Sequence, residues 1–156
     1  MVATPRANVP RMVKVKSPVG DPRDSLGYLL VRASDQARKT WEQSLAEYDV
    51  RARSFSILAM LQHEPGLSSA ELARRTMITP QSMSEALKSL AIAGLVAVTD
   101  ETPGRSNRLE VTGRGRRLLR RSSPAVQAAN ESMFGLLNSQ ERDQLRRLLE
   151  KLVRDA

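Results

Sequence analysis

The sequence predicts a mainly α-helical chain with one small β-hairpin, and three observations carry that reading. Aromatic residues are only 3% of the 156 residues against 40% hydrophobic, so aliphatic side chains must fill the core. Apolar residues recur every three or four positions along most of the chain, which is the period of a helix face. One stretch, 95–111, departs from it with two short apolar-rich runs on either side of Pro103-Gly104, the pattern of strands around a turn. The length suits a single folded unit.

Each element has its own local signal. Residues 1–20 combine Pro5, Pro10, Pro18 and Gly20 with four basic residues and no acid, and are expected to form a disordered basic arm. Asp21-Pro22 reads as a cap and first helical position, so a helix is expected directly after it. Its apolar positions, Leu26, Leu29/Leu30, Ala33, Ala37, Trp41, Leu45 and Tyr48, span about seven turns. A second helix covers 52–63 and stops at Glu64-Pro65-Gly66. Ser68-Ser69-Ala70-Glu71 then matches the capping box, in which the serine and glutamate side chains each satisfy a free amide. That third helix runs to about Arg75. After a short turn, Thr79 caps a fourth helix with Pro80 at its first position and Gly94 at its end.

The fourth helix divides by face, with Met83, Ala86, Leu87 and Leu90 inward and Gln81, Ser82, Ser84, Glu85 and Lys88 outward. Strands are expected over 95–99 and 108–111, joined by a basic tip. A helix follows from Thr112, very basic over 114–121, and Ser122-Ser123-Pro124 is expected to break or kink it before it resumes over 125–137. A last helix starts at Ser139 and presents Leu145, Leu148, Leu149, Leu152 and Val153, a stripe that needs a partner surface.

Charge is localised. The formal net charge is +8, of which the arm carries +4 and residues 70–121 carry +5, with ten bases against five acids. The helical stretches 24–63 and 131–156 are each balanced. A confined cationic excess marks a polyanion-facing surface more than a uniform one does. Two short helices joined by a tight turn, the second with a polar outer face and followed by a basic hairpin, form a winged helix-turn-helix pattern suited to duplex DNA. In that pattern Gln81, Ser82, Ser84, Glu85 and Lys88 meet base edges, Arg105 and Arg108 of the hairpin reach the minor groove or phosphates, and Thr79 and Ser69 lie at helix starts that favour phosphate.

With no cysteine and one histidine, His63, the chain excludes disulfides, a zinc cage, a thiol nucleophile and thiol-based redox sensing. His63 reads as a surface or helix-terminal residue. Trp41 and Tyr48 read as core or dimer contacts rather than walls of a ligand pocket, and no ligand site or cofactor is assigned. No apolar run approaches the roughly 20 residues that span a bilayer, and the N-terminus lacks an apolar signal core, so a soluble cytoplasmic protein is expected. Two other functions are compatible with the sequence. One is a winged-helix adaptor for proteins; the other is an enzyme built on Glu42, Glu47, Asp49 and Glu64, which no motif supports.

Glu64-Pro65-Gly66-Leu67-Ser68, Glu71-Leu72-Ala73, the run from Leu90 to Val96, Arg105 and Leu109-Glu110-Val111-Thr112 before a basic helix together resemble MarR-type transcriptional regulators over roughly 24–153. The resemblance implies a winged helix-turn-helix region (51–112) and a homodimer held by the first helix (21–50) and C-terminal helices (113–156). It also implies a repressor on a near-palindromic operator and a small aromatic or phenolic effector bound between the dimer helices and the DNA-binding lobe. Arg105 falls on the family's wing arginine. The chain departs from the family pattern two residues earlier, where Pro103 stands at an acidic position.

Overall fold

The computed structural model describes residues 20–100 and 108–153, so the arm, apart from Gly20, and the Pro103-Gly104 turn lie outside the described residues. The chain divides into two compact units, Met1–Ala33 and Ser34–Ala156. In the first, the Asp21 carboxylate accepts the Arg23 amide at 2.9 Å and the Arg23 side chain at 2.6 Å. Its cap therefore serves a short 3-10 turn, Pro22–Asp24, and Ser25 is extended at ψ 130°. Helix α1 begins only at Leu26, a correction to the helix expected directly after Asp21. It ends at Leu45 after 20 residues, shorter than the seven turns expected, and Ala46–Tyr48 is again 3-10 because Asp49 turns left-handed at φ 52°.

In the second unit the expected helices follow in order: α2 (Ala52–His63), α3 (Ser69–Thr76) and α4 (Pro80–Ile92), then an antiparallel pair β1 (Val96–Asp100) and β2 (Arg108–Val111), then α5 (Gly113–Phe134) and α6 (Ser139–Val153). The strands pair Val96 with Val111 and Val98 with Leu109, and the register shifts between Val98 and Asp100. A bridge from Leu67 to Leu109 ties the loop before α3 to the hairpin, with Gly66 N–H donating to the Leu109 carbonyl at 3.0 Å.

The main core joins Ile57, Leu58 and Leu61 of α2, Leu72 of α3, Met83, Leu87 and Leu90 of α4, Val96, Leu109 and Val111 of the hairpin, and Leu119 of α5. Each buried aliphatic side chain contributes on the order of 1.5–3 kcal/mol relative to exposure, so this cluster is what unites three helices, the hairpin and α5. A second cluster of Leu45, Val50 and Ala52 gathers Trp41, Phe55 and Val126 around it.

The helix ends in this unit are closed by local chemistry. At α3, Ser68 N–H donates to Glu71 Oε2 at 2.8 Å, and Ser68 Oγ accepts the Glu71 amide at 3.3 Å, so the capping box forms as its residues require. At the far end Met77 is left-handed at φ 51°, and Ile78 N–H returns to the Ala73 carbonyl at 3.0 Å. Helix α4 closes in the same way: Gly94 has φ 67° and Leu95 N–H reaches the Leu90 carbonyl at 2.9 Å.

Helix α5 runs through Pro124 as one element, which corrects the expected break, and it ends at Phe134 rather than 137. Proline removes the amide that would donate to the Arg120 carbonyl, yet Leu119, Ser122 and Ala129 are buried on both sides of it. Ser122 and Ser123 donate their hydroxyls to the Leu118 and Leu119 carbonyls at 2.8 and 2.7 Å. Packing on both sides holds the helix through the missing bond.

The start of α5 is clamped to the hairpin root. Thr112 N–H donates to the Leu95 carbonyl at 3.0 Å, its hydroxyl donates to the Gly94 carbonyl at 2.7 Å, and that hydroxyl oxygen accepts the Gly115 amide at 3.1 Å. A Cβ at Gly115 would lie 2.6 Å from Val111 Cγ1 and closer still to the Leu95 carbonyl oxygen. Gly115→Ala, which in an open helix gains up to about 1 kcal/mol, is therefore expected to lose about 2 kcal/mol here, read as a lower urea midpoint. The capping box also predicts a pH dependence. Hydrogen bonds from the Ser68 hydroxyl and then from its amide hold Glu71 below the ordinary carboxylate range. A depressed folded-state pKa stabilises fully above that range and is lost as pH falls through the depressed value. The stability difference between the wild type and Glu71→Gln should thus be constant near neutrality and shrink below about pH 4, as urea titrations at a series of pH values will read.

Candidate nucleic-acid interface

Helix α4 owes its outward face to the burial of its inward one. Met83 is fully buried, and Leu87 and Leu90 are nearly so, which turns Gln81, Ser84, Glu85 and Lys88 to solvent. These four stand at i, i+3, i+4 and i+7, one stripe along the helix. Thr79 fixes where the stripe begins: its hydroxyl accepts the Ser82 amide at 3.2 Å, and Pro80 takes the first position, where no amide is needed. The exposed start of α4 comes directly after Thr79, which follows the turn that closes α3 at Met77, and it carries the positive end of the helix dipole.

The structure therefore places Thr79, Gln81, Ser84, Glu85 and Lys88 together, with Ser82 half-buried on the flank. Ser69 is the half-buried first residue of α3. Arg108 stands at the root of the hairpin, where Nη1 donates to the Gly66 carbonyl at 2.7 Å and lies 4.0 Å from Glu71 Oε2. Arg105 lies outside the described residues. Sequence reasoning passed over Ser89, which is exposed on α4 and donates its hydroxyl to the Glu85 carbonyl at 3.0 Å. It also passed over Arg74 on the outer side of α3, whereas Arg75 is ion-paired with Glu64. Helical spacing is the signal that could have found both as outward residues; neither has a motif signature.

A cavity of about 420 Å³ lies elsewhere in the same unit, between the C-terminal part of α1, α2 and α5. Trp41, Leu45, Phe55, Ala59, Met60 and Val126 make it apolar, and Ser56 and His63 add polar groups. Trp41 thus lines a pocket as well as packing in the second cluster, which corrects its assignment as core or dimer contact alone. Its indole N–H donates to Asn130 Oδ1 at 2.7 Å, so the ring is held in one orientation. The signal for the cavity is tertiary: its wall comes from three helices distant in sequence. His63, the last residue of α2, is exposed. Among the described residues no group of three metal-ligating side chains comes together, and no helix is long and apolar enough to cross a membrane.

The sequence pattern of the MarR family matches residues 48–106. The chain is 39% identical over 131 residues to the HTH-type transcriptional repressor Rv2887 of Mycobacterium tuberculosis, covering 83% of this chain and 94% of that one. Its fold is similar to the crystal structure of Rv2887 in complex with DNA, with a TM-score of 0.67 and 37% identity over 83% of this chain and 98% of that chain. It is likewise similar to Rv2887 in complex with salicylic acid, with a TM-score of 0.67 and 39% identity over 82% and 96% of the two chains. With a capped recognition-type helix, a paired hairpin and relatives matched over nearly their whole length, this chain belongs to the MarR family.

Proposed function

We propose that this protein is a cytoplasmic, non-enzymatic transcriptional repressor that binds a near-palindromic operator as a homodimer and is released by a small aromatic acid. The exposed α4 stripe is the observation that carries the reading. A helix bearing Gln81, Ser84, Glu85 and Lys88 on one side fits the major groove of B-DNA, about 12 Å wide, where base pairs present distinct donors and acceptors. Thr79, Ser69 and Ser82 then lie beside phosphates, Arg105 is assigned a minor-groove or phosphate contact by the family resemblance alone, and Arg108 adds charge at the hairpin root. The DNA complex of the similar repressor Rv2887 supports duplex DNA as the partner.

Dimerisation follows from unburied apolar surface. Leu26 and Val31 of α1 are 85% and 68% exposed, and Leu148, Leu149, Leu152 and Val153 of α6 stand open in the single chain. A second copy covers these faces and sets two α4 helices about 34 Å apart, one turn of duplex. In this arrangement 21–50 and 113–156 are the dimerisation segments, 51–112 is the DNA-binding region and 1–20 an additional basic arm. The cavity beside Trp41 has the size and apolar lining of a small-ligand site, and the salicylic acid complex of Rv2887 supports an aromatic acid as its occupant.

Two measurements test this reading. Affinity for operator fragments selected from the source genome is expected to fall steeply with salt, and Lys88→Ala and Arg105→Ala are each expected to weaken it roughly tenfold. Salt-insensitive binding, or two silent variants, counts against the α4 placement. Trp41 is the single tryptophan, so salicylate is expected to change its emission saturably and to lower operator affinity over the same concentration range. Emission unchanged by salicylate, with operator affinity also unchanged, would remove the effector site.

A further inference from the structure

Glu85 is the only acid on α4, and it stands in the middle of the stripe that faces DNA in the reading above. A carboxylate there opposes a polyanion and works against affinity. Neighbouring acids have structural roles: Glu64 pairs with Arg75, and Glu71 closes the cap of α3. Glu85 has no such role. The α4 cap belongs to Thr79, and among the described residues no cation comes within ion-pair distance of the Glu85 carboxylate. Among the described residues its one side-chain hydrogen-bond partner is Gln81 a turn earlier, whose Nε2 approaches Oε1 at 3.5 Å, the long limit of a hydrogen bond. Ser89 engages only its main-chain carbonyl.

We infer that Glu85 is a specificity-determining residue, accepting a hydrogen bond from the N4 amine of one cytosine in each half-site. In the major groove cytosine is the base that offers a donor with no acceptor beside it; guanine offers only acceptors, thymine a carbonyl and a methyl, and adenine an amine beside the N7 acceptor. A carboxylate is therefore satisfied at cytosine and repelled by the acceptors of guanine and thymine. Gln81, one turn back, steadies the oxygen not used. Glu85 on this view lowers affinity for all DNA and lowers it least at the correct site, which is how discrimination arises by penalty.

The inference rests on the DNA-binding reading, and the experiment separates the two. Full-length wild type, Glu85→Ala and Glu85→Gln are titrated with the selected operator, with duplexes in which each operator base pair is replaced in turn, and with a mixed-sequence duplex. All three proteins are checked for the same melting temperature, as an exposed residue whose side chain makes one long hydrogen bond predicts. Glu85→Ala is expected to bind the mixed duplex several-fold more tightly and to reduce the preference for operator over mixed duplex roughly tenfold, with the loss confined to one symmetric C·G pair. Glu85→Gln is expected to shift the preference at that pair toward A·T, because glutamine pairs with adenine N6 and N7. If the wild type discriminates and both variants retain its preference at every base pair, Glu85 does not read sequence and the inference fails alone. If the wild type binds no DNA, the underlying reading fails with it.

Discussion

The burial of Met83, Leu87 and Leu90 against α2 and the hairpin is the constraint from which the rest of the interface follows. A helix has one continuous surface, so fixing which stripe is buried fixes which stripe is free. The hydrophobic stabilisation of that one side thereby aims Gln81, Ser84, Glu85 and Lys88 without any of these residues making a strong contact of its own. The two ends are held separately: Thr79 and Pro80 set the start, Gly94 the stop, and the Leu90 carbonyl closes the last turn. A one-residue slip of this helix rotates every outward side chain by about 100°, so packing density protects the recognition surface.

The hairpin is held with comparable care. Leu67 bridges to Leu109, Arg108 reaches the Gly66 carbonyl, and Gly115 allows α5 to approach the Leu95 carbonyl more closely than any other residue would permit. The hairpin root is therefore rigidly joined to α3 through one loop and to α5 through another. Gly115 and Arg116 brace the same joint differently: a side chain at Gly115 would displace backbone, whereas exposed Arg116 adds one hydrogen bond, from Nη1 to the Val111 carbonyl at 2.7 Å.

In the proposed regulation the cavity and the α4 stripe communicate through α2. Phe55, Ala59 and Met60 face the cavity, while Ile57, Leu58 and Leu61 of the same helix belong to the core that seats α4. An occupant that favours one position of α2 over another alters the seating of α4 by that differential affinity and no more. The indole of Trp41, held by its hydrogen bond to Asn130, forms one wall of the cavity.

Elements with a complete local signal were legible from the residues alone. The capping box at Ser68 and Glu71, the Thr79-Pro80 start and the Gly94 stop each rest on hydrogen bonds within four residues, so sequence decides them. The polar face of α4 was legible for the same reason, its period being a property of the helix. Three features were not. Asp21 carries a good cap signal, but its carboxylate closes a 3-10 turn, because Ser25 is extended and starts the α-helix afresh. Pro124 carries a good break signal, but burial of Leu119, Ser122 and Ala129 around it outweighs one lost hydrogen bond. The cavity has no signature at all, since Trp41, Phe55 and Val126 meet only when α1, α2 and α5 pack. The sequence by itself determined where helices start and stop and which side of α4 is polar, through interactions that span a single turn. Only the tertiary structure decided whether α5 stays whole, where Arg108 reaches and what Trp41 lines, because those outcomes sum contacts between residues far apart in the chain.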